Sequence, residues 1–213
     1  MKKRIIVIAM VCVVMLPCLA SAQVVSTFES RNDWAATKNG KGYFYHETEI
    51  YSNFGIIGVG FQYDLLKRAR YTQAKPYVTM NFKPFSVILG YASNNLGDKQ
   101  IRLGIRADKK VGRTVFWIDA SNYFSVNQNK SDYLDAFMGF TCKLNRVFSA
   151  GVTLGYDKWW REKDHQYLFL GPVFSCKVLP KTTIFIRPGK EWEESGGKTE
   201  TRTKVRVGLN VQF

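Results

Sequence analysis

The sequence predicts an all-β protein, a transmembrane antiparallel up-and-down β-barrel of about twelve strands, with ten strands as the second reading. Three observations carry this. Apolar and polar residues alternate with period two from Tyr43 to the last residue, and no helical period of any length appears. The alternating runs are nearer ten to thirteen residues than the five or six usual in soluble sheets, which suits tilted strands crossing a bilayer. The connections between runs alternate short and long, as in barrels with tight turns at one rim and loops at the other.

The chain of 213 residues opens with a targeting segment. Lys2, Lys3 and Arg4 precede an apolar stretch from Ile5 to Leu16, and Ala20-Ser21-Ala22 places small residues at a cleavage position. Residues 1–22 are therefore expected to be a cleaved signal peptide and 23–213 a single outer-membrane β-barrel domain. No later segment has the ~18 uninterrupted apolar residues of a membrane helix. The formal charge of +14 stays strongly positive without the leader, which implies an anionic partner, either lipid or acidic solute. Secretion makes nucleic acid an unsuitable partner.

The strands expected in order are 24–34, 42–52, 54–65, 74–83, 85–93, 99–109, 112–124, 131–144, 146–157, 165–178, 181–191 and 199–213. Short turns fall at Asn53, Pro84, Lys110-Val111, Asn145 and Leu179-Pro180. Longer polar connections fall at Thr37–Lys41, Leu66–Gln73, Asn94–Asp98, Ser125–Lys130, Lys158–Asp164 and Glu194–Lys198. Parity requires a strand before 42–52, and 24–34 is the only candidate, although its second half is polar on both faces. Twelve strands then leave both termini at the short-turn rim. In the last strand Val205, Val207, Leu209, Val211 and Phe213 share one face, while Arg202, Lys204, Arg206, Asn210 and Gln212 share the other. Cys142 and Cys176 fall on strands two places apart, about 10 Å from one another, too far for a disulfide.

Lipid cannot solvate charge, so the apolar face must point outward and the ionised residues inward. The candidate pore-lining residues are Arg102, Arg106, Arg113, Arg187, Arg202, Lys204 and Arg206, with Glu47, Glu49 and Asp135 among the acids beside Asp64, Asp119, Asp157 and Glu191. Two readings stay open. In one, these ions neutralise one another in a filled bore. In the other, the bore is hydrated and Arg202, Lys204 and Arg206 form a ladder of weak anion sites in series, with space left by inward Gly58, Gly60, Gly90, Gly104, Gly151 and Gly155. His46 is left on the lipid face, an exception to the pattern.

Two stretches carry a family resemblance. The closing segment Glu200-Thr201-Arg202-Thr203-Lys204-Val205-Arg206-Val207-Gly208-Leu209-Asn210-Val211-Gln212-Phe213, and Tyr45-His46-Glu47-Thr48-Glu49 in the second strand, resemble the oligogalacturonate-specific porins and the sialic-acid porins. Those are small monomeric twelve-stranded outer-membrane channels with Arg-rich lumens. The resemblance implies passive diffusion of small hydrophilic solutes, with acidic oligosaccharides the anionic case. Acids interrupt the Arg stripe here, and the second Arg track is reduced to Arg102, Arg106 and Arg113.

Rival readings are a non-conducting structural or surface-interaction barrel and an outer-membrane lipid-modifying enzyme. A hydrolase needs a nucleophile, a His and a group that orients the His. His46 and His165 are the two histidines, and the sequence shows no obvious Ser partner for His46, so no enzyme, catalytic residue, cofactor or metal site is expected. Trp159, Trp160 and Trp192 suit interfacial anchors better than sugar-stacking platforms. The expected partners are outer-membrane lipid, a small hydrophilic or anionic solute, and the barrel-assembly machinery through the final strand ending in Phe213.

Overall fold

Lipid surrounding a chain leaves no water for an open sheet edge, so a spanning sheet must close on itself. The computed structural model describes residues 25–37, 42–67, 70–127, 132–160 and 165–213, and these do close. The strands are β1 (Val25–Ala36), β2 (Gly42–Phe54), β3 (Ile57–Leu66), β4 (Tyr71–Phe82), β5 (Phe85–Asn94), β6 (Lys99–Val111), β7 (Thr114–Ser125), β8 (Tyr133–Lys143), β9 (Phe148–Trp159), β10 (Gln166–Leu179), β11 (Thr182–Ser195) and β12 (Lys198–Gln212). Each pairs antiparallel with its neighbours in sequence, and β1 pairs with β12 to seal the barrel. The expected leader and the start of the first strand at Val24 lie outside the described residues.

The twelve-strand reading holds, and the ten-strand alternative falls because β1 is a full partner on both sides. It runs against β12 from Thr27↔Gln212 to Ala36↔Thr203, and against β2 from Val25↔Asn53 to Ala36↔Gly42. Its polar second half is explained by its neighbours: Glu29, Arg31 and Asp33 line the interior. Both ends of the barrel sit at the short-turn rim, where the Phe213 amide donates to the Ser26 carbonyl at 2.8 Å.

The faces follow the period. Ile101, Leu103 and Ile105 on β6 are each about half exposed, while Gln100 and Arg102, on the alternate positions, are buried. Cys142 and Cys176 are free, as expected. Several boundaries differ from the sequence reading. Gly55, at φ 84°, forms the β2–β3 turn with Ile56, so β3 starts at Ile57 rather than at 54. The connection expected to be long at Glu194–Lys198 is a two-residue hairpin turn. Gly196 and Gly197 have φ 58° and 74°, the paired left-handed geometry that matches strand twist.

Candidate functional site

The barrel encloses a cavity of about 1330 Å³, walled by side chains from most of the strands. Its walls are fuller than inward glycines suggest. The rings of Tyr51, Tyr77 and Phe137 occupy the places that side chains at Gly58, Gly60 and Gly155 would fill. These three glycines are thus seats for neighbouring aromatic rings, and the space expected from them is narrowed accordingly.

Charges in the wall form connected groups. Nearest the loop rim, Asp33 on β1 accepts from Nε and Nη2 of Arg206, at 2.6 and 2.7 Å, and from the Lys204 Nζ at 2.9 Å. Asp33 and Glu191 are both fully shielded from solvent. Glu191 accepts from Tyr43 at 2.7 Å and from Arg202 at 3.0 Å, and Arg202 also reaches Glu193 at 2.6 Å. A second group joins Arg31 to Glu29 at 3.3 Å and to Glu47 and Glu49. It crosses the bore through Arg106, which lies 3.2 Å from Glu49 and 2.7 Å from Asp119. A third pairs Lys75 with Asp64 at 2.6 Å and places the Arg102 Nε 2.9 Å from the Ser121 hydroxyl.

One guanidinium stands apart. Among the described residues, Arg187 has no carboxylate within ion-pair distance, and its Nε is buried without a hydrogen-bond partner. The group packs on Phe185 at 4.5 Å and on Trp117 at 5.6 Å, a cation held against ring faces. Trp117 comes from β7, four strands round the barrel from β11. The sequence reading did not single it out, since Phe116-Trp117-Ile118 looks apolar on both faces. Counting in twos from Asp119 would have placed it inward. Asp135 and Asp157 face each other in register, each with a carboxylate oxygen lacking a hydrogen-bond partner.

Of the ten residues expected to line the bore, Arg102, Arg106, Arg187, Arg202, Lys204, Arg206, Glu47, Glu49 and Asp135 do line this cavity. Arg113 does not. It is exposed in the turn before β7, which starts at Thr114 rather than at 112. The sequence reading missed Arg31, Asp33 and Lys75, which carry much of the pairing. Arg31 and Asp33 were obscured by the two-sided polarity of β1.

Among the described residues the positive surplus lies outside the lumen. Lys83, Lys109, Lys110 and Arg113 cluster at short turns on one side, and Lys143, Arg146, Lys177 and Lys181 continue the collar, all exposed and none lining the cavity. Near the loop rim, Tyr123, Tyr133, Trp159 and His165 stack in sequence, at 4.5, 5.8 and 4.1 Å between successive centroids. Trp159 is therefore part of the inner wall rather than a membrane anchor, and its neighbours cover both ring faces. Trp160 is exposed and donates to Asn122 at 3.0 Å.

No family model and no curated protein matches the chain. Among solved structures it is similar to the NanC porin, with TM-score 0.63 at 10% identity over 86% of this chain and 98% of that one. It is similar to the KdgM porin in complex with disordered oligogalacturonate, with TM-score 0.62 at 13% identity over 88% and 99%. An outer-membrane channel from Pseudomonas putida F1 aligns with TM-score 0.57 at 6% identity over 90% and 96%. What the chain shares with these channels is the fold, a closed antiparallel barrel that spans nearly their whole length.

Proposed function

We propose that this protein is a passive channel of the bacterial outer membrane for small hydrophilic solutes. The observation that carries the reading is a charged, water-accessible cavity of about 1330 Å³ inside a closed barrel whose outer face is apolar. A wall of ionised groups is wasted in a sealed core but solvates polar solutes in transit. The porin folds above support it, since the bound oligogalacturonate in one of them is an acidic saccharide. The final strand, ending in the exposed Phe213 beside the β1 seam, fits a signal for barrel assembly.

For anionic solutes the reading gives Arg187 the leading part. The Arg202–Lys204–Arg206 ladder is engaged by carboxylates, whereas Arg187 offers an unpaired guanidinium that can meet a solute carboxylate. The test is conductance of the refolded protein in planar bilayers. Stepwise openings are expected, with reversal potentials that shift when Arg187 is replaced. A bilayer that stays silent while the protein is demonstrably folded overturns the channel reading and favours a structural barrel.

A further inference from the structure

The outer face of β1 and β2 carries a polar cluster, with the apolar Val207 and Leu209 of β12 beside it. His46 on β2 points outward, and its Nε2 lies 2.8 Å from the Thr48 hydroxyl. Its Nδ1 lies 2.9 Å from the Asn32 side-chain oxygen on β1. His46 and Thr48 are two apart on one strand and so share a face, while the register pairs Asn32 directly with His46. One tautomer satisfies both contacts: the Thr48 hydroxyl donates to Nε2, and Nδ1–H donates to the Asn32 oxygen.

We propose that Thr48, His46 and Asn32 form a catalytic site for acyl-ester hydrolysis that faces the bilayer. The arrangement is a hydroxyl held by an imidazole whose other nitrogen is oriented by a third group, the logic of activated-hydroxyl acyl transfer. Its position fits a lipid ester. Trp34 and Phe44, whose rings meet at 5.6 Å, stand on the same outer face one row nearer the loop rim. Trp34 is half exposed, and an exposed Trp there suits the acyl–headgroup boundary, where ester carbonyls and water both occur. All three polar residues are partly open on that surface. Ser30 is opposite Thr48 in register on the same face, available as a hydroxyl donor to the developing oxyanion.

The chemistry balances without a further reactant. The Thr48 oxygen attacks the ester carbonyl carbon as His46 Nε2 takes the hydroxyl proton. The tetrahedral adduct collapses with cleavage of the carbon–alkoxide bond, and His46 returns the proton to the departing alcohol. A water, deprotonated by the same nitrogen, then attacks the acyl-threonine. This releases the fatty acid and restores the hydroxyl.

The experiment uses full-length refolded protein in mixed micelles of phosphatidylethanolamine and a nonionic detergent, with fatty-acid release as one readout. Covalent capture of an alkyl fluorophosphonate, mapped by mass spectrometry, is the second. Release and labelling at Thr48 are expected, with a loss of at least ~100-fold in His46→Ala and Thr48→Val. Thr48→Ser, with a less hindered hydroxyl, is expected to match or exceed the wild type. The heat-modifiable gel mobility and β-type circular dichroism of a closed barrel, which depend on neither activity, check that each variant folds. The proposal is overturned if folded wild type and Thr48→Ser both release no fatty acid, or if release and labelling persist in Thr48→Val.

Discussion

Arg206 and Arg187 are opposite each other on β12 and β11, both facing the same cavity, yet they differ in almost every respect that matters for a passing ion. Arg206 is gripped by Asp33 through two hydrogen bonds and also packs on Phe137 at 5.4 Å across the bore. Arg187 has only ring faces beneath it. Formal charge is the same in the two places, but the field each presents to the lumen is not. A carboxylate within 3 Å cancels most of a guanidinium's potential a few ångströms away, and an aromatic ring does so far less. A stripe of cations in a sequence therefore overstates the attraction a pore offers to anions. What counts is which cations lack a partner.

The acid side carries the greater structural weight. Asp33→Ala removes the shared partner of Arg206 and Lys204 and leaves both cations shielded from solvent without it. A loss of about 3–5 kcal/mol in barrel stability is expected, read from urea unfolding in detergent. An unfolding midpoint unmoved by this change would mean that the pair is hydrated and of little structural weight.

Arg187→Gln probes the other half. It removes a charge with no compensating acid, so the anion-to-cation permeability ratio should fall roughly two- to fivefold at low salt. That is the effect of one charge about 10 Å from an ion in a medium approaching water. The shift should shrink as salt rises, and reversal-potential measurements at two ionic strengths check both statements. An acid–acid contact gives a smaller effect. Asp135 and Asp157 are directly opposed across β8 and β9, so Asp157→Asn sets an amide donor against the Asp135 carboxyl and should stabilise the barrel by about 0.5–1 kcal/mol in the same urea assay. The double change Asp33→Asn with Arg206→Gln removes one charge of each sign while Lys204 keeps Glu191 at 3.5 Å, so ion selectivity should move far less than in Arg187→Gln.

The legible part of this molecule was the part governed by a local rule. In β6, Ile101, Leu103 and Ile105 turn to lipid and Arg102 and Arg106 to the interior because a bilayer permits no other assignment, and that can be read two residues at a time. The same rule found nine of the ten expected wall residues. It failed at Arg113, where a turn ended the alternation two residues later than the sequence suggests. It also gave β1 too little weight, because a strand between the first hairpin and the seam carries polar groups on both faces. His46 looked like an exception on the lipid side, and Asn32 and Thr48 supply the partners that make it part of a cluster.

The sequence by itself determined a transmembrane barrel, its inner and outer faces and the rim at which both ends meet, since each follows from period-two patterning against lipid; it favoured twelve strands over ten, and the pairing of β1 on both sides decided the number. Only the tertiary structure decided which charges are cancelled. Arg206 and Asp33 are 173 residues apart and meet because the last strand closes on the first. Arg187 reaches Trp117 across the bore because a twelve-strand barrel is narrow enough for side chains to span it. Pairing in the lumen depends on closure and width, which belong to the whole sheet and are written in no single strand.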